Sequence, residues 1–414
     1  MKIVVLQDDL PPYHVGGGGV IAYRLAREFA RRGHEVTAIT TVQNRAHAGS
    51  EFIDGVEVVR LYSSYHPRLR AYKSLYNSAT LRDVERLLKQ YTPDIVHVHN
   101  VHTHLSYYSL VLARRYGRRV VMTEHDAMSF HFGKLPSALS SVSNELPSEV
   151  HRESIIRQLR MHKWRYNPLR TPIVRYILRK TVHASVAVST ALARALEDNG
   201  IRVHSVIHNG IAVSEWGSLD VGTFVKKHHL GDRVIFFGGR LSEPKGAMQM
   251  IQAMPAICRT VPDAQLLVAG KQDAFAERMI KHAIELGVEK SLVFTGWLTG
   301  DELRSAYFAS RVVVAPSIYL DPFPTVNLEA FAAGRPVVAT CFGGSREVVE
   351  DGVSGYVVNP LDVEALSAKV VDLLMDEEKA KQFGVAGHER VRKEFSLARQ
   401  VEQYERVFTE AVRM

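Results

Sequence analysis

Short runs of aliphatic and β-branched residues recur along the chain, each near a stretch of helical period. "KIVVLQ" (2–7), "EVTAIT" (35–40), "DIVHVH" (94–99) and "RRVVMTEH" (118–125) have this form in the first half. "HASVAVS", "RVIFFGGR", "AQLLVAG", "SLVFTG", "RVVVAPS", "PVVAT" and "GYVVN" continue it downstream. Between the first two runs, "VIAYRLAREFARRG" sets Ile21, Leu25 and Phe29 on one face and closes at Gly33, a C′ glycine. Strands apolar throughout, separated by helices, predict an α/β protein whose parallel sheets are covered on both faces.

At 414 residues the chain exceeds one ordinary domain. Two sheets fit its length, with a seam at "VIHNGIAVSEW" (206–216), where Asn209-Gly210 marks a turn. The expected domains are residues 1–211 and 212–390, with residues 391–414 as a last helix crossing back onto the first. In doubly wound sheets the ligand lies outside the carboxyl ends of the strands, so the loops that follow strands carry the chemistry.

Composition narrows the class. Apolar residues make up 46% and charged residues 23%, as in soluble globular proteins. The first strand meets Asp8 and Asp9 too early for a signal peptide, and no apolar run reaches the roughly 18 residues needed to span a bilayer. Cys258 and Cys341 make neither a disulfide framework nor a zinc site, which points to a reducing, cytoplasmic compartment. The net charge is +8, and the segment Arg152 to Lys180 accounts for it, with nine Arg and Lys against Glu153. Such local basicity implies one face that meets something anionic.

In "SIYLDPFPTVNLEAFAAG" (317–334), Asp321 and Glu329 stand eight residues apart. Pro322 and Pro324 exclude one continuous helix, so Asp321 belongs to a loop and Glu329 to the first turns of the helix that follows. The N-terminus of that helix is an anion site, and flanking acids could accept hydrogen bonds from hydroxyls on either side of a phosphate. The competing reading makes Asp321 a helix cap. "FFGGRLSEPKGAMQMI" (236–251) adds a glycine turn with Gly239, Arg240 and Lys245, suited to a diphosphate. "CFGGSREVVEDG" contributes Gly343, Gly344 and Glu347.

In the first half, Gly16 to Gly19 precede a helix. A dinucleotide loop would follow the first strand directly, whereas here about nine residues intervene and no acid ends "EVTAIT", which argues against nicotinamide binding. His97 and His99 share a strand face, with His102 and His104 close behind. Without cysteines or a tight carboxylate set they read as structural rather than zinc ligands, although His99 stands at the strand end. "MTEHDAM" ends another strand with His125 and Asp126, the latter a site residue or a structural cap.

Taken together, the second half resembles glycosyltransferase family 4, retaining enzymes of the GT-B fold. The likeness rests on Gly239-Arg240-Leu241 with Lys245-Gly246, on the acid-x7-acid element Asp321 to Glu329, on Gly343-Gly344 through Glu347, and on "HNGI" (208–211) at the seam. It implies two Rossmann-like domains facing across a cleft, the first binding the acceptor and the second a nucleotide-diphosphate sugar such as a UDP- or GDP-sugar. By that resemblance Arg240 and Lys245 would grip the diphosphate and Glu329 the ribose. Backbone around Phe323, Pro324, Thr325 and Val326 would meet the distal phosphate and sugar. The base would lie near Gly270 and Lys271, and near Gly296 and Trp297. Gly18 and Gly19 would face the cleft, and His125 would approach the donor sugar. Asp321 stands where the family has Glu, and "AGKQD" departs from its glycine-proline form, which leaves sugar and base open.

The resemblance further implies transfer with retention and no metal or other cofactor. A GT-B epimerase or phosphorylase and a non-catalytic, nucleotide-sugar-binding partner subunit are the alternatives. The basic segment, with Arg160, Lys163 and Arg165 among Ile155, Ile156, Leu159, Trp164, Tyr166, Ile173, Tyr176 and Leu178, reads as an amphipathic helix for an anionic membrane surface. Arg68, Arg70, Lys73 and Arg82 form a second basic piece. Both suit a glycan or lipid-linked acceptor, in cell-envelope or exopolysaccharide synthesis on the cytoplasmic side of a membrane. Solvated arginine faces are the plainer explanation, and no nucleic-acid-binding module is present.

Overall fold

The computed structural model describes residues 1–13, 16–135 and 152–413. They form two compact units. The first takes in the described residues up to Leu135, those from 152 to Asn209, and the chain from Leu397 on; the second runs from Gly210 to Ser396.

The first unit is built on eight strands: β1 (Lys2–Leu6), β2 (Glu35–Val42), β3 (Gly49–Ile53), β4 (Val56–Tyr62), β5 (Ile95–Val98), β6 (Arg119–Glu124), β7 (Ala184–Ala187) and β8 (Ser205–Val206). Their order across the sheet is β3-β4-β2-β1-β5-β6-β7-β8, parallel except where β3 pairs antiparallel with β4. The helix Gly17–Arg31 buries Ile21, Leu25 and Phe29, and Gly33 follows at φ +87°. The C-terminal helix Leu397–Arg413 packs on this unit. Phe408 lies 5.3 Å from Phe29, Arg119 Nε donates to the Ala411 carbonyl at 2.7 Å, and Arg32 pairs with Glu405 at 3.0 Å. Residues 391–396 stay with the second unit, because Glu377–Glu394 is a single helix and the last helix starts only at Leu397.

The second unit holds six strands, β9 (Val234–Gly238), β10 (Gln265–Ala269), β11 (Leu292–Gly296), β12 (Val312–Ala315), β13 (Val337–Thr340) and β14 (Gly355–Val358). All are parallel, in the order β11-β10-β9-β12-β13-β14. The order reverses direction between β9 and β12, and the loops after β9, β12 and β13 carry the glycine pairs and acids singled out above.

The hydrophobic pattern alone missed the β3–β4 hairpin. Four of the five β3 residues are exposed and the last is half-buried, so no alternation marks the strand. Its signal is Asp54-Gly55, at φ +51° and +82°, the conformation of a two-residue hairpin turn.

Candidate functional site

In the second unit the carboxyl ends of three strands are tied together by glycine backbone. The Gly239 N–H donates to the Ala269 carbonyl and the Gly270 N–H to the Gly296 carbonyl, both at 2.9 Å. Gly239 and Gly296 have φ +118° and +80°. Arg240 projects from this edge, exposed, and among the described residues no carboxylate pairs with it. Trp297, just beyond Gly296, is exposed as well.

Lys245 ends a short 3-10 turn, Glu243–Lys245, closed by Gly246 at φ +77°. A methyl group on Gly246 would overlap the Pro316 carbonyl oxygen, so only glycine lets the two loops meet. That approach brings Lys245 Nζ to 2.6 Å from Asp321 Oδ2, which also accepts from Ser317 Oγ at 2.9 Å. Tyr319 joins the cluster, its ring 5.5 Å from the ammonium. Burial works against both charges, yet each overrides it for the other: the Asp321 carboxyl lies below its ordinary pKa and the Lys245 ammonium above. Behind Asp321 the chain is clamped again, since the Gly344 N–H donates to the Asp321 carbonyl at 2.9 Å and a methyl on Gly343 would strike that same carbonyl.

The helix after the loop, Thr325–Ala332, starts at the N-cap Pro324 and has no side-chain cap. The capping role considered for Asp321 is therefore not what the structure holds. The Oδ2 of Asp321 is occupied by Lys245 and Ser317, a contact the sequence reading did not foresee. Asp321 is a shorter acid turned inward to hold a lysine. Phe323 and Pro324 are buried, while Thr325 and Val326 are partly exposed at the first turn. Glu329 is half-buried a turn inside and accepts from Tyr307 Oη at 2.6 Å. Ser317, Tyr319 and Tyr307 were not legible as site residues. Tyr307 sits 22 positions from Glu329 in another helix, and no sequence spacing links them.

In the first unit, Gly18 and Gly19 open the helix Gly17–Arg31. A methyl on Gly18 would come within 2.9 Å of Asn100 Nδ2 and 3.8 Å of His125, and one on Gly19 would overlap the Asp9 carbonyl oxygen. His125 Nε2 is 2.8 Å from His99 Nδ1, so one ring donates to the other. Burial lowers the pKa of His125 to about 4 and that of His99 well below its ordinary value, leaving both neutral near pH 7. His97 is structural: it bonds Thr123 Oγ1 at 2.9 Å and packs between Tyr404 and Phe408. His104 bonds Ser63 at 2.9 Å, and His102 lies 3.7 Å from the Asp126 carboxylate. Asp126 Oδ1 accepts the Met128 N–H at 2.8 Å, a local turn. Asp8 has a role the sequence reading missed, accepting the N–H groups of Thr103, His104 and Leu105 at 2.7 to 2.8 Å. Among the described residues no three His, Cys, Asp or Glu side chains are placed to hold a metal ion. A depression of about 440 Å³, lined by Arg60, Tyr62, Arg86 and Tyr91 among others, contains none of the nominated residues.

The basic segment is not one amphipathic helix. It forms two, Ile155–His162 and Arg170–Thr181, separated by a 3-10 turn with Lys163 at φ +51° and by Asn167-Pro168. Arg160, Lys163 and Arg165 are exposed beside Trp164 and Ile156, and Arg68 stacks on Trp164 at 5.4 Å. Tyr166 and Leu178, assigned to the interfacial face, are buried instead, and Tyr166 Oη contacts Thr171 Oγ1 at 3.3 Å. Arg82 is exposed, while Arg70 and Lys73 are half-buried.

Comparison with known proteins follows the division into units. The family described as Glycosyltransferase Family 4 matches residues 15–215, and Glycosyl transferases group 1 matches residues 223–390. The chain belongs to glycosyltransferase family 4. Glycogen synthase of Mycobacterium tuberculosis is 27% identical over 95% of this chain and 91% of its own. Sucrose-phosphate synthase from Thermosynechococcus elongatus shares the fold with a TM-score of 0.78, at 20% identity and 99% coverage of both chains. HepE of Anabaena, solved in complex with UDP-glucose, superposes with a TM-score of 0.73 at 17% identity, over 99% of this chain and all of its own. These are GT-B structures, and the fold of this transferase is GT-B.

Proposed function

We propose that this transferase moves a glycosyl group from a nucleotide-diphosphate sugar to a glycan or lipid-linked acceptor, with retention and without a metal, in cell-envelope or exopolysaccharide synthesis. The observation that carries the reading is Lys245, held at 2.6 Å by the buried Asp321 on a loop that leads into the uncapped helix Thr325–Ala332. In this reading the diphosphate meets Lys245 and the exposed Arg240, while N–H groups at Thr325 and Val326 take the distal phosphate. Glu329, fixed by Tyr307, receives ribose hydroxyls. Asp321 is a positioning residue: it keeps Lys245 charged and in place, and a fixed cation stabilises the charge that builds on the leaving diphosphate.

Retention follows if the acceptor hydroxyl attacks from the face the diphosphate is leaving. The new C–O bond forms as the old one breaks, and the hydroxyl proton passes to a phosphate oxygen. A paired carboxylate nucleophile, as in retaining hydrolases, is not needed in this scheme. UDP-glucose is the ligand of the HepE complex, which makes UDP-sugars the first donors to try. The exposed cations Arg68, Arg160, Lys163 and Arg165 around Trp164 suit docking at an anionic lipid surface, where each cation contributes about 1 kcal/mol. Among the described residues no helix is long and apolar enough to cross a membrane.

The test is thermal stabilisation by UDP, GDP, ADP and dTDP, in the parent and in an Arg240→Ala, Lys245→Ala double variant. A ligand that binds only the folded protein stabilises by about 2.7 kcal/mol at a hundred times its dissociation constant. One diphosphate should raise the parent midpoint and lose most of its effect in the variant. Silence from all four at millimolar concentration refutes the donor site.

A further inference from the structure

We infer that the first unit holds an anion subsite formed by Arg70 and Arg170, and that it receives a phosphate monoester carried by the acceptor. The inference rests on the transferase reading for its purpose, but not for its geometry.

Arg170, the first residue of its helix, is completely buried. Its Nε donates to Ser74 Oγ at 3.2 Å and its Nη1 to the Met128 carbonyl at 2.7 Å. Its guanidinium lies 5.5 Å from the rings of both Tyr107 and Phe132. Among the described residues no carboxylate pairs with it, and Nη2 has no hydrogen-bond partner. Arg70 lies against the same Phe132 ring at 5.8 Å, with Nη2 3.8 Å from Met128 Sδ. Its Nε is likewise buried and unpartnered.

Two guanidiniums thus converge on one aromatic ring and one methionine, each with an unspent buried N–H. A buried cation without a counter-charge is costly, and an unpaired buried donor adds to that cost. An anion would remove both costs at once. The other ionisable groups interacting with one or both arginines include His102, His104, Tyr65, Tyr107 and Tyr166. Burial depresses the pKa of His102 and raises that of Tyr107, so neither is charged at neutral pH. Asp126, 3.7 Å from His102, and Asp8 are the carboxylates that act on His102 beside the two guanidiniums, and among the described residues neither forms an ion pair with Arg70 or Arg170. Both guanidiniums therefore keep donors that no carboxylate takes up, and planar guanidiniums present paired donors to a tetrahedral oxyanion. A phosphate monoester, with up to two negative charges and three terminal oxygens, uses more of these donors than a carboxylate does. Arg70 is half-exposed, which opens the site to solvent on its side. Location adds a purpose. His102 and Asp126 occupy the loops after β5 and β6, the same loops that carry the His99–His125 pair. A phosphate anchored here would hold the rest of the acceptor beside His125.

The experiment measures binding of inorganic phosphate, glucose 6-phosphate, glucose and glucuronate to the full chain by calorimetry, with thermal midpoints recorded throughout. The parent, Arg70→Gln, Arg170→Gln and the donor-site variant Arg240→Ala are compared. Phosphate and glucose 6-phosphate should bind the parent and Arg240→Ala alike, glucose should not bind, and Arg70→Gln should weaken phosphate at least tenfold. Arg70→Gln should keep its response to UDP or GDP, which shows that it is folded even if Arg170→Gln is not. Phosphate binding that survives Arg70→Gln, or that is lost in Arg240→Ala, overturns the subsite. Glucuronate binding more tightly than glucose 6-phosphate overturns the phosphate assignment. If a nucleoside diphosphate binds and phosphate does not, the subsite fails and the transferase reading stands. If phosphate binds through Arg70 and no nucleoside diphosphate binds, the donor reading fails and the subsite stands.

Discussion

The two units share a sheet architecture, and the cations Lys245 and Arg170 are treated differently in them. In the second, Lys245 and Asp321 neutralise each other at 2.6 Å, Ser317 adds a donor, and glycines 246 and 343 allow the backbone to close around the pair. In the first, among the described residues, Arg170 is buried with no carboxylate paired to it and Glu124 has one oxygen without a partner. His99 and His125 stay neutral against each other. The contrast separates a site completed by its own residues from one whose polar groups await a ligand. Under the proposed function, a preorganised diphosphate grip would suit a substrate part common to all donors, whereas open donors would suit a part specific to one acceptor.

The contrast predicts a rank order of effects. Gly246→Ala should cost about 4 kcal/mol or more, from a non-glycine residue forced to positive φ and from overlap with the Pro316 carbonyl. Urea unfolding measures it, and a loss below about 1 kcal/mol would mean that the glycine-tight loop is not what holds Lys245 in place.

Next comes Glu124, whose carboxyl burial raises to about 8 from an ordinary 4.5 while Ser129 bonds its other oxygen at 2.7 Å. The unfolded chain gives up this proton at the lower pH, so stability should fall as pH climbs from about 4.5 to about 8. Glu124→Gln keeps the neutral form and should remove that slope, gaining up to roughly 4 kcal/mol at pH 8 and little at pH 5. Equal gains at both pH values would show that the buried carboxyl is already ionised in the folded protein.

Asp321→Ala is expected to cost about 2–3 kcal/mol of stability, at the lower end for breaking a buried pair because Lys245 keeps some access to water. The same variant should lower kcat more than it raises KM for the donor, since a displaced cation acts on the leaving group. A rise in KM alone would return Asp321 to the sugar hydroxyls.

The smallest effect belongs to the first unit. Gly18→Ala meets only the tip of Asn100, which can turn away, so its stability should change by less than about 1 kcal/mol. A loss as large as that of Gly246→Ala would erase the distinction between the two glycine loops.

Much of this was open to reading along the chain. Strands such as Val234–Gly238 and Val312–Ala315 are buried on both faces, and a continuous apolar run is the mark that leaves in sequence. The break after Asp321 was legible because Pro322 and Pro324 act locally through their own rings. Exposed β3 left no such mark. The basic segment misled for the opposite reason: its composition is amphipathic, but Pro168 splits it and packing draws Tyr166 and Leu178 inward.

Local chemistry, then, was determined by the sequence: which loops follow strands, where glycine is required, which helix begins just after an acid. Contacts between distant positions were decided only by the tertiary structure. Asp321 meets Lys245 across 76 residues, Tyr307 meets Glu329 across 22, and Arg170 reaches Ser74 across 96. Spacing carries information about neighbours on one helix or strand. It carries none about side chains joined through a sheet, where hydrogen-bond partners depend on strand order and on burial that removes competing water.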